Sequence, residues 1–322
     1  MLQQLRPQDY ITYRDAARSI LARHDGQAAV DAFGIGELLI PGGDLGDPRP
    51  VLALLEAQGH RGAITDTLGR FVLTGPTLAT GVIPRDRDVL AGFMIDSGSR
   101  LVVPGLCAGT DVVVDVPGTG LVLAIGPAPA GPPADPADSY LTTIDLDHVA
   151  TSVLIPEAEI NGFRDDLISR ARLGIAAEIL GICDRLLDDA ITYAGARRQF
   201  GHPIGSYQAV QHILAWAATD RYQLTCLFDQ VAEAAASGTL DAGLARAVKA
   251  MAGQVGHAVV QKVTQASGAI SFTWEYSVNR LHRRLLMLDA IAGTSADLVA
   301  AIGRELRIHN ALPELLELPA IL

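Results

Sequence analysis

The sequence predicts an α+β chain in three consecutive parts: an N-terminal helical domain over residues 1–80, a middle antiparallel β-domain over 81–155, and a C-terminal four-helix bundle over 156–322. Three observations predict it. Before residue 80, apolar residues recur at three-and-four spacing. From 81 to 155, short apolar or alternating runs are cut by Gly, Pro, Asp and Ser. After 156, long segments carry one apolar face and are joined by short loops.

Each element follows from its residues. "YRDAARSILARH" and "PRPVLALLEAQGHRG" read as helices, and the Gly- and Pro-punctuated "FGIGELLIPGGDLGDP" reads as a connector. "VLAGFMID", "SRLVVPGL", "TDVVVDVP", "GLVLAIG", "SYLTTIDL" and "ATSVLIP" read as six strands. "GPAPAGPPADPADS" is a loop or hairpin tip, because proline cannot donate to a ladder. In the first bundle helix, Ile168, Ala171, Ile175, Ile179, Ile182, Leu186 and Ala190 share a face. A second helix is expected from Ser206, as N-cap, to a stop at Gly238. A third runs from about Asp241 to about Gln265. A fourth opens after Gly293, with Thr294 and Asp297 in a capping-box pattern.

Composition narrows the function. The chain has 322 residues, 49% hydrophobic and 19% charged, which is globular composition. A net charge of −11 argues against general nucleic-acid binding, which needs a positive surface. Cys107, Cys183 and Cys226 are far apart and form no metal-ligand or disulfide pattern. Cys183 and Cys226 are expected as buried small hydrophobes, and Trp216 as core. No charged-then-apolar leader and no long apolar run is visible, so a cytoplasmic protein without a membrane span is expected. The only lysines are Lys249 and Lys262.

"YAGARRQFGHPIGSYQAVQHILA", from Tyr193, places Arg197 and Arg198 at a helix–turn–helix junction. A guanidinium there suits a phosphate or carboxylate, because its planar fork donates two hydrogen bonds at once. The alternative is that Arg197 caps helix carbonyls or pairs with Asp188 or Asp189.

This stretch resembles the signature of the acyl-CoA dehydrogenase family, Tyr-x-x-x-Arg-x-Gln-Phe-Gly-x-Pro-Ile. Two further family motifs are similar to "QASGAISFTWEYSVNRLHRR", from Gln265, and "IAGTSADLVAAIGREL", from Ile291. The resemblance covers about residues 160–310 and implies a shortened acyl-CoA dehydrogenase fold with FAD as cofactor. Carried over, the positions that reach a neighbouring subunit's FAD are Arg197, Gln199, Phe200 and Gln208, then Gln265, Gly268 and Ala269. The family has Gly-Gly where this chain has Gly268-Ala269, so one methyl group could crowd a close approach.

The family reaction is α,β-desaturation of an acyl-CoA thioester, and its base is a glutamate. The resemblance puts that base at Ala292, or in some members near Ala171; neither alanine can accept a proton. Asp289 and Asp297 are the nearby carboxylates that could substitute. Glu275 is expected to tie helices together. The family's Thr-Glu-Pro-x-Ala-Gly-Ser and Trp-Ile-Thr-Asn segments, which seat the flavin ring, are absent. The pattern resembles the non-catalytic subunit of actinobacterial heteromeric (α2β2) enzymes, some acting on CoA esters of steroid side chains. That implies a homologous catalytic partner, an acyl-CoA substrate and electron-transfer flavoprotein as acceptor. A homo-oligomeric flavoenzyme with a displaced base and a non-enzymatic scaffold stay open.

Overall fold

The computed structural model describes residues 6–24, 26–36, 39–41, 43, 45–75, 81–83, 87–95, 98–129 and 140–309. Most of the Pro/Ala-rich segment expected as a loop or hairpin tip, residues 130–139, lies outside them. Helices α1 (Gln8–Leu21), α2 (Gln27–Phe33), α3 (Arg49–Arg61) and α4 (Thr67–Val72) come first. Strands β1 (Val89–Met94), β2 (Arg100–Pro104), β3 (Asp111–Val116), β4 (Gly120–Ala124), β5 (Leu141–Asp145) and β6 (Thr151–Pro156) follow, each within one expected run. Helix α5 (Asn161–Ala196) leads through a short hairpin of β7 (Arg198–Gln199) and β8 (His202–Pro203) into α6 (Gln208–Ala236), α7 (Ala242–Ser267), α8 (Ser277–Ala290) and α9 (Ser295–His309).

Sequence and structure differ in three ways here. The sheet, ordered β5-β2-β1-β3-β4-β6, is mixed rather than antiparallel, because β1 and β3 run parallel. The chain leaves β1 through β2, on one side, and re-enters on the other. The four expected bundle helices are present, but α8 stands between the third and fourth. Ser206 does not cap α6: its hydroxyl donates to the Pro203 carbonyl (2.7 Å) in a 3₁₀ turn, and the helix starts at Gln208. By contrast, Asp241 caps α7 by accepting from the Leu244 N–H (2.8 Å), and Thr294 accepts from the Asp297 N–H (3.1 Å) at the head of α9.

The core is built on α5, which packs against α3 on one side and α7 on another. The α3–α5 contact is backbone-close. A β-carbon at Gly59 would overlap the Glu178 carbonyl, and one at Gly181 would overlap the Glu56 carbonyl. Glu56 and Glu178 are therefore buried at the crossing, and each is neutralised by a buried arginine. Arg6 forks onto Glu56 (2.9 Å) and onto Asp229 of α6 (2.7 Å). Arg284 of α8 donates to Glu178 (2.7 Å) and lies 3.8 Å over the Tyr140 ring. Tyr140 and Gln58 also donate to Glu178 (2.9 and 3.1 Å), so one carboxylate joins α3, α5, α8 and the entry to β5.

Alternation along the strands splits the sheet. Ala91, Val102, Val113 and Leu121 join the main core, while Leu90, Leu101, Val103, Val112, Val114 and Ile144 form a second, smaller one. The stretch Ser277–Ile308 has the length and hydropathy of a membrane span, but the turn at 291–294 divides it into α8 and α9, of 14 and 15 residues. A span needs about 20 in one helix.

Removing one partner of a buried pair strands the other charge. Glu178→Gln is expected to cost about 3–5 kcal/mol in denaturant unfolding, because buried Arg284 then loses the Glu178 charge. A loss below about 1 kcal/mol would show that the hub contributes little.

Candidate functional site

At the end of α5 the chain turns extended at Arg197, whose N–H donates to the Tyr193 carbonyl and whose carbonyl accepts from the Ile204 N–H, both at 2.8 Å. Its backbone is thus fixed while its side chain is exposed. Neither expected alternative pairing forms. Asp188 meets His60 (3.1 Å), and Asp189 accepts from Arg185 (2.8 Å) and Ser277. Among the described residues, nothing bonds the Arg197 guanidinium.

Phe200 (φ 51°) and Gly201 (φ 86°) form the corner of the β7–β8 hairpin. A two-residue turn with both φ positive is type I′, whose twist matches the strands. A left-handed phenylalanine is strained by roughly 1–2 kcal/mol, and this one is 91% exposed. Gln199 is exposed and its amide donates to the Arg198 carbonyl (2.8 Å); Gln208, first residue of α6, is exposed too.

The hairpin and the end of α7 share one end of the bundle. Tyr193 packs on Tyr276 (ring centroids 5.6 Å apart), whose hydroxyl meets Ser267 (3.3 Å). Gln265, Gly268 and Ala269 line a groove of about 940 Å³ between α7 and α8, together with Phe272 and His282. Gly268 terminates α7 at φ 72°. Ala269 sits in the following 3₁₀ turn, exposed to the groove, so its methyl is accommodated by this fold. Phe272 is 74% and Trp274 67% exposed.

A second feature is the corner between α8 and α9. Ala292 (φ 59°) and Gly293 (φ 96°) are both left-handed, and their carbonyls are taken: Ala292 accepts from Arg172 (3.1 Å) and Gly293 from Lys249 (3.2 Å). Lys249, fully buried, also reaches the Asp289 carboxylate (3.2 Å), which accepts in addition from Ser295 (2.9 Å) and meets His257 (3.3 Å). Burial alone would raise the Asp289 carboxyl, but Lys249, Ser295 and His257 outweigh it and hold it below its ordinary range. Ala171, on α5, is fully buried. On the sheet side of α5, the cavity among Val72, Phe93, Val113 and Ile168 measures about 60 Å³. Arg164 closes its edge by bridging Asp115 (2.6 Å) and Glu157 (2.8 Å).

Residues 165–307 match the acyl-CoA dehydrogenase C-terminal domain. A relative aligned along nearly the whole chain is acyl-CoA dehydrogenase FadE34 of Mycobacterium tuberculosis, 30% identical over 327 residues, 93% of this chain and 43% of that protein. The C-terminal part of the chain carries an acyl-CoA dehydrogenase C-terminal domain, and the chain is similar to an acyl-CoA dehydrogenase along most of its length. IpdE2 of Mycolicibacterium smegmatis, also an acyl-CoA dehydrogenase, is 32% identical over 44% of each chain. The chain thus spans less than half the length of these curated relatives. Among solved structures, the Tcur3481–Tcur3483 steroid ACAD superposes with a TM-score of 0.68 at 22% identity, covering 97% of this chain and 100% of that one. The ChsE4–ChsE5 complex of M. tuberculosis gives 0.67 at 19%, covering 94% and 98%. These two establish the fold.

Within the acyl-CoA dehydrogenase frame, the positions carried over from the resemblance fall into two sets. Arg197, Gln199, Phe200, Gln208, Gln265, Gly268 and Ala269 are exposed at one end of the bundle. Ala292 and Ala171 lie at a packed interior corner and on a packed helix face. Neither carboxylate considered as a substitute base is free: Asp289 is held by three donors, and Asp297 accepts from the Thr294 hydroxyl (2.7 Å) at the helix cap.

Three side-chain expectations are corrected. Trp216 is 64% exposed, and Cys226 is exposed, both on the outer face of α6. Glu275 is exposed and hydrogen-bonds locally with Thr273 rather than tying helices. The sequence reading also missed the Lys249–Asp289 corner. Its available signal was one of only two lysines, set in an apolar helix.

Asp289 yields a pH prediction. Its folded pKa is depressed, so its contribution is full above the unfolded value of about 3.9 and is lost as pH falls through the folded one. Asp289→Asn, which leaves Lys249 buried without a counter-ion, is expected to lose about 3–5 kcal/mol at neutral pH. It is also expected to flatten the acid limb of the stability profile. Parallel stability–pH curves for the two proteins would refute the assignment.

Proposed function

We propose that the chain is the non-catalytic subunit of a heteromeric FAD-dependent acyl-CoA dehydrogenase, lending FAD-binding residues to a catalytic homologue. The observation that carries this reading is an asymmetry. The face that would serve a neighbour's cofactor is open and contains an arginine with no partner among the described residues, whereas the cavity on the sheet side of α5, where a flavin of the chain's own would have to sit, measures only about 60 Å³.

The residues fit FAD in one of these places only. Arg197 can donate a charge-assisted fork to a pyrophosphate, Gln199, Phe200 and Gln208 flank it, and the groove at Gln265–Ala269 can admit the adenine half. A 60 Å³ cavity has room for a few waters and none for a three-ring flavin. FAD, when bound, supplies the hydride acceptor. This chain's contribution is to bind and orient, since Ala292 and Ala171 hold no proton. More than half of FadE34 lies outside its match to this chain. That leaves room there for a second unit of comparable size, as a linked partner would require.

The reading extends to an acyl-CoA substrate on the partner's site, a steroid side-chain CoA ester by analogy with the steroid ACAD neighbour, with electron-transfer flavoprotein as acceptor and a cytoplasmic location. The displaced-base alternative would need Asp289 or Asp297 released from its donors.

Co-expression with a base-bearing homologue tests the reading. An α2β2 assembly is expected with one FAD per heterodimer, while the chain alone is colourless or insoluble. Ala292→Glu is expected to raise neither flavin content nor turnover, because a carboxylate there would face no oxidant. One FAD per polypeptide, or a doubling of both quantities in the variant, would overturn the proposal. An assembly that stays colourless with every partner would favour the scaffold.

Arg197→Ala separates lending from capping. Because its guanidinium makes no hydrogen bond or ion pair with a described residue, the variant is expected to unfold at the wild-type temperature. FAD retention by the assembly should weaken by about 1.5–3 kcal/mol, the range for hydrogen bonds to charged groups. A lowered melting temperature with unchanged FAD dissociation would assign Arg197 a structural role instead.

A further inference from the structure

A cavity of about 590 Å³ opens between the start of α5, the end of α4 and the α6–α7 turn. Its size falls within the roughly 300–1,000 Å³ of small-molecule pockets. It is not the small cavity on the sheet side of α5. Ser169 and Leu173 line it, and at 3.6 residues per turn each lies about 200° around α5 from Ala171.

Its chemistry is specific in two respects. Leu45, Phe71, Leu173 and Leu240 supply apolar wall, and one hydroxyl opens onto it. Ser169 is only 5% exposed, yet it makes no hydrogen bond to any described residue. A mid-helix serine that does not donate to the carbonyl four residues back turns its hydroxyl elsewhere, here to the cavity, to which its oxygen keeps access. The rim is also unfavourable to anions. Arg170 is engaged by Asp166 (3.1 Å) and Asp165 adds a second carboxylate, so carboxylates outnumber cations among the described lining residues, while the end of α6 and the starts of α3 and α7 bring helix poles of opposite sign to the rim.

We propose that this cavity binds an uncharged amphipathic molecule, with its apolar body on the leucine and phenylalanine wall and a hydroxyl or carbonyl group hydrogen-bonded to Ser169. A free carboxylate, or the phosphates of a CoA ester, would lie beside Asp165 and Asp166, and the one cation among the described lining residues, Arg170, is already paired with Asp166. The site lies on the side of α5 away from Ala171.

Calorimetric or NMR titration of the full chain with 1-octanol, octanoate and octanoyl-CoA tests this. Octanol is expected to bind at one site, octanoate at least about tenfold more weakly, equivalent to some 1.4 kcal/mol, and octanoyl-CoA is not expected to displace octanol. Ser169→Ala is expected to weaken octanol about three- to tenfold, the share of one neutral hydrogen bond. Leu173→Trp, which fills the cavity, should abolish binding. Should that variant not fold, Ala235→Phe blocks from the opposite wall. Equal affinity for octanoate, displacement by octanoyl-CoA, no octanol binding, or binding that survives both blocking variants would each overturn the proposal.

Discussion

The closeness of α3 and α5 at Gly59 and Gly181 is the constraint on which the rest of the molecule depends. With no β-carbon on either helix at the crossing, backbone meets backbone, and Glu56 and Glu178 have nowhere to go but inward. Two carboxylates in a dry interior cannot stay ionised without cations, so the crossing fixes where arginines must enter. Arg6 enters from the N-terminal segment and Arg284 from α8. Sequence elements more than 270 residues apart are thereby tied to one pair of glycines.

The same crossing sets the position of the interior corner. Arg284 anchors α8, and the end of α8 carries Asp289 into reach of Lys249 on α7. From there the chain must reverse within four residues, which it does through the left-handed pair Ala292–Gly293. Arg172, one residue after the position of the family's alternative base, holds that turn by its carbonyl. The corner thus owes its conformation to cations on α5 and α7, not to any ligand. Its backbone shape persists with alanine at the base position because the side chain at 292 takes no part in holding it.

The fold was legible where one period dominates. Six strands in 81–155 announced themselves by short β-branched runs between Gly and Pro, and α5 by its single apolar stripe. What periodicity cannot express is long-range pairing, so the parallel β1–β3 contact went unread. Helix α8 was obscured because its sequence, "SVNRLHRRLLMLDA", carries charges such as Arg284 and Asp289 that face inward. The exposed positions Arg197, Phe200 and Gln265 were legible only through resemblance. Periodicity would bury Phe200 and Trp216, and nothing local says that these aromatics stand in solvent. The Ser169 cavity had no sequence signal, because a serine on a long amphipathic helix looks alike whether its hydroxyl is matched or not.

Strain is informative about which face of the molecule has a use. A phenylalanine in the left-handed region, almost wholly exposed, gains little hydrophobic stabilisation to offset its backbone cost within this chain. Glycine at 200 would relieve the strain and lose almost no burial. Cover for Phe200 from a partner, as proposed above, would supply an offset that this chain does not. At Ala292 the position is reversed. The left-handed conformation is over-determined from inside, by Arg172 and Lys249, and nothing external is required to explain it. Among the described residues, the two non-glycine positions with positive φ thus differ: the turn at Ala292 is held by cations of this chain, whereas Phe200 gains almost no burial from it.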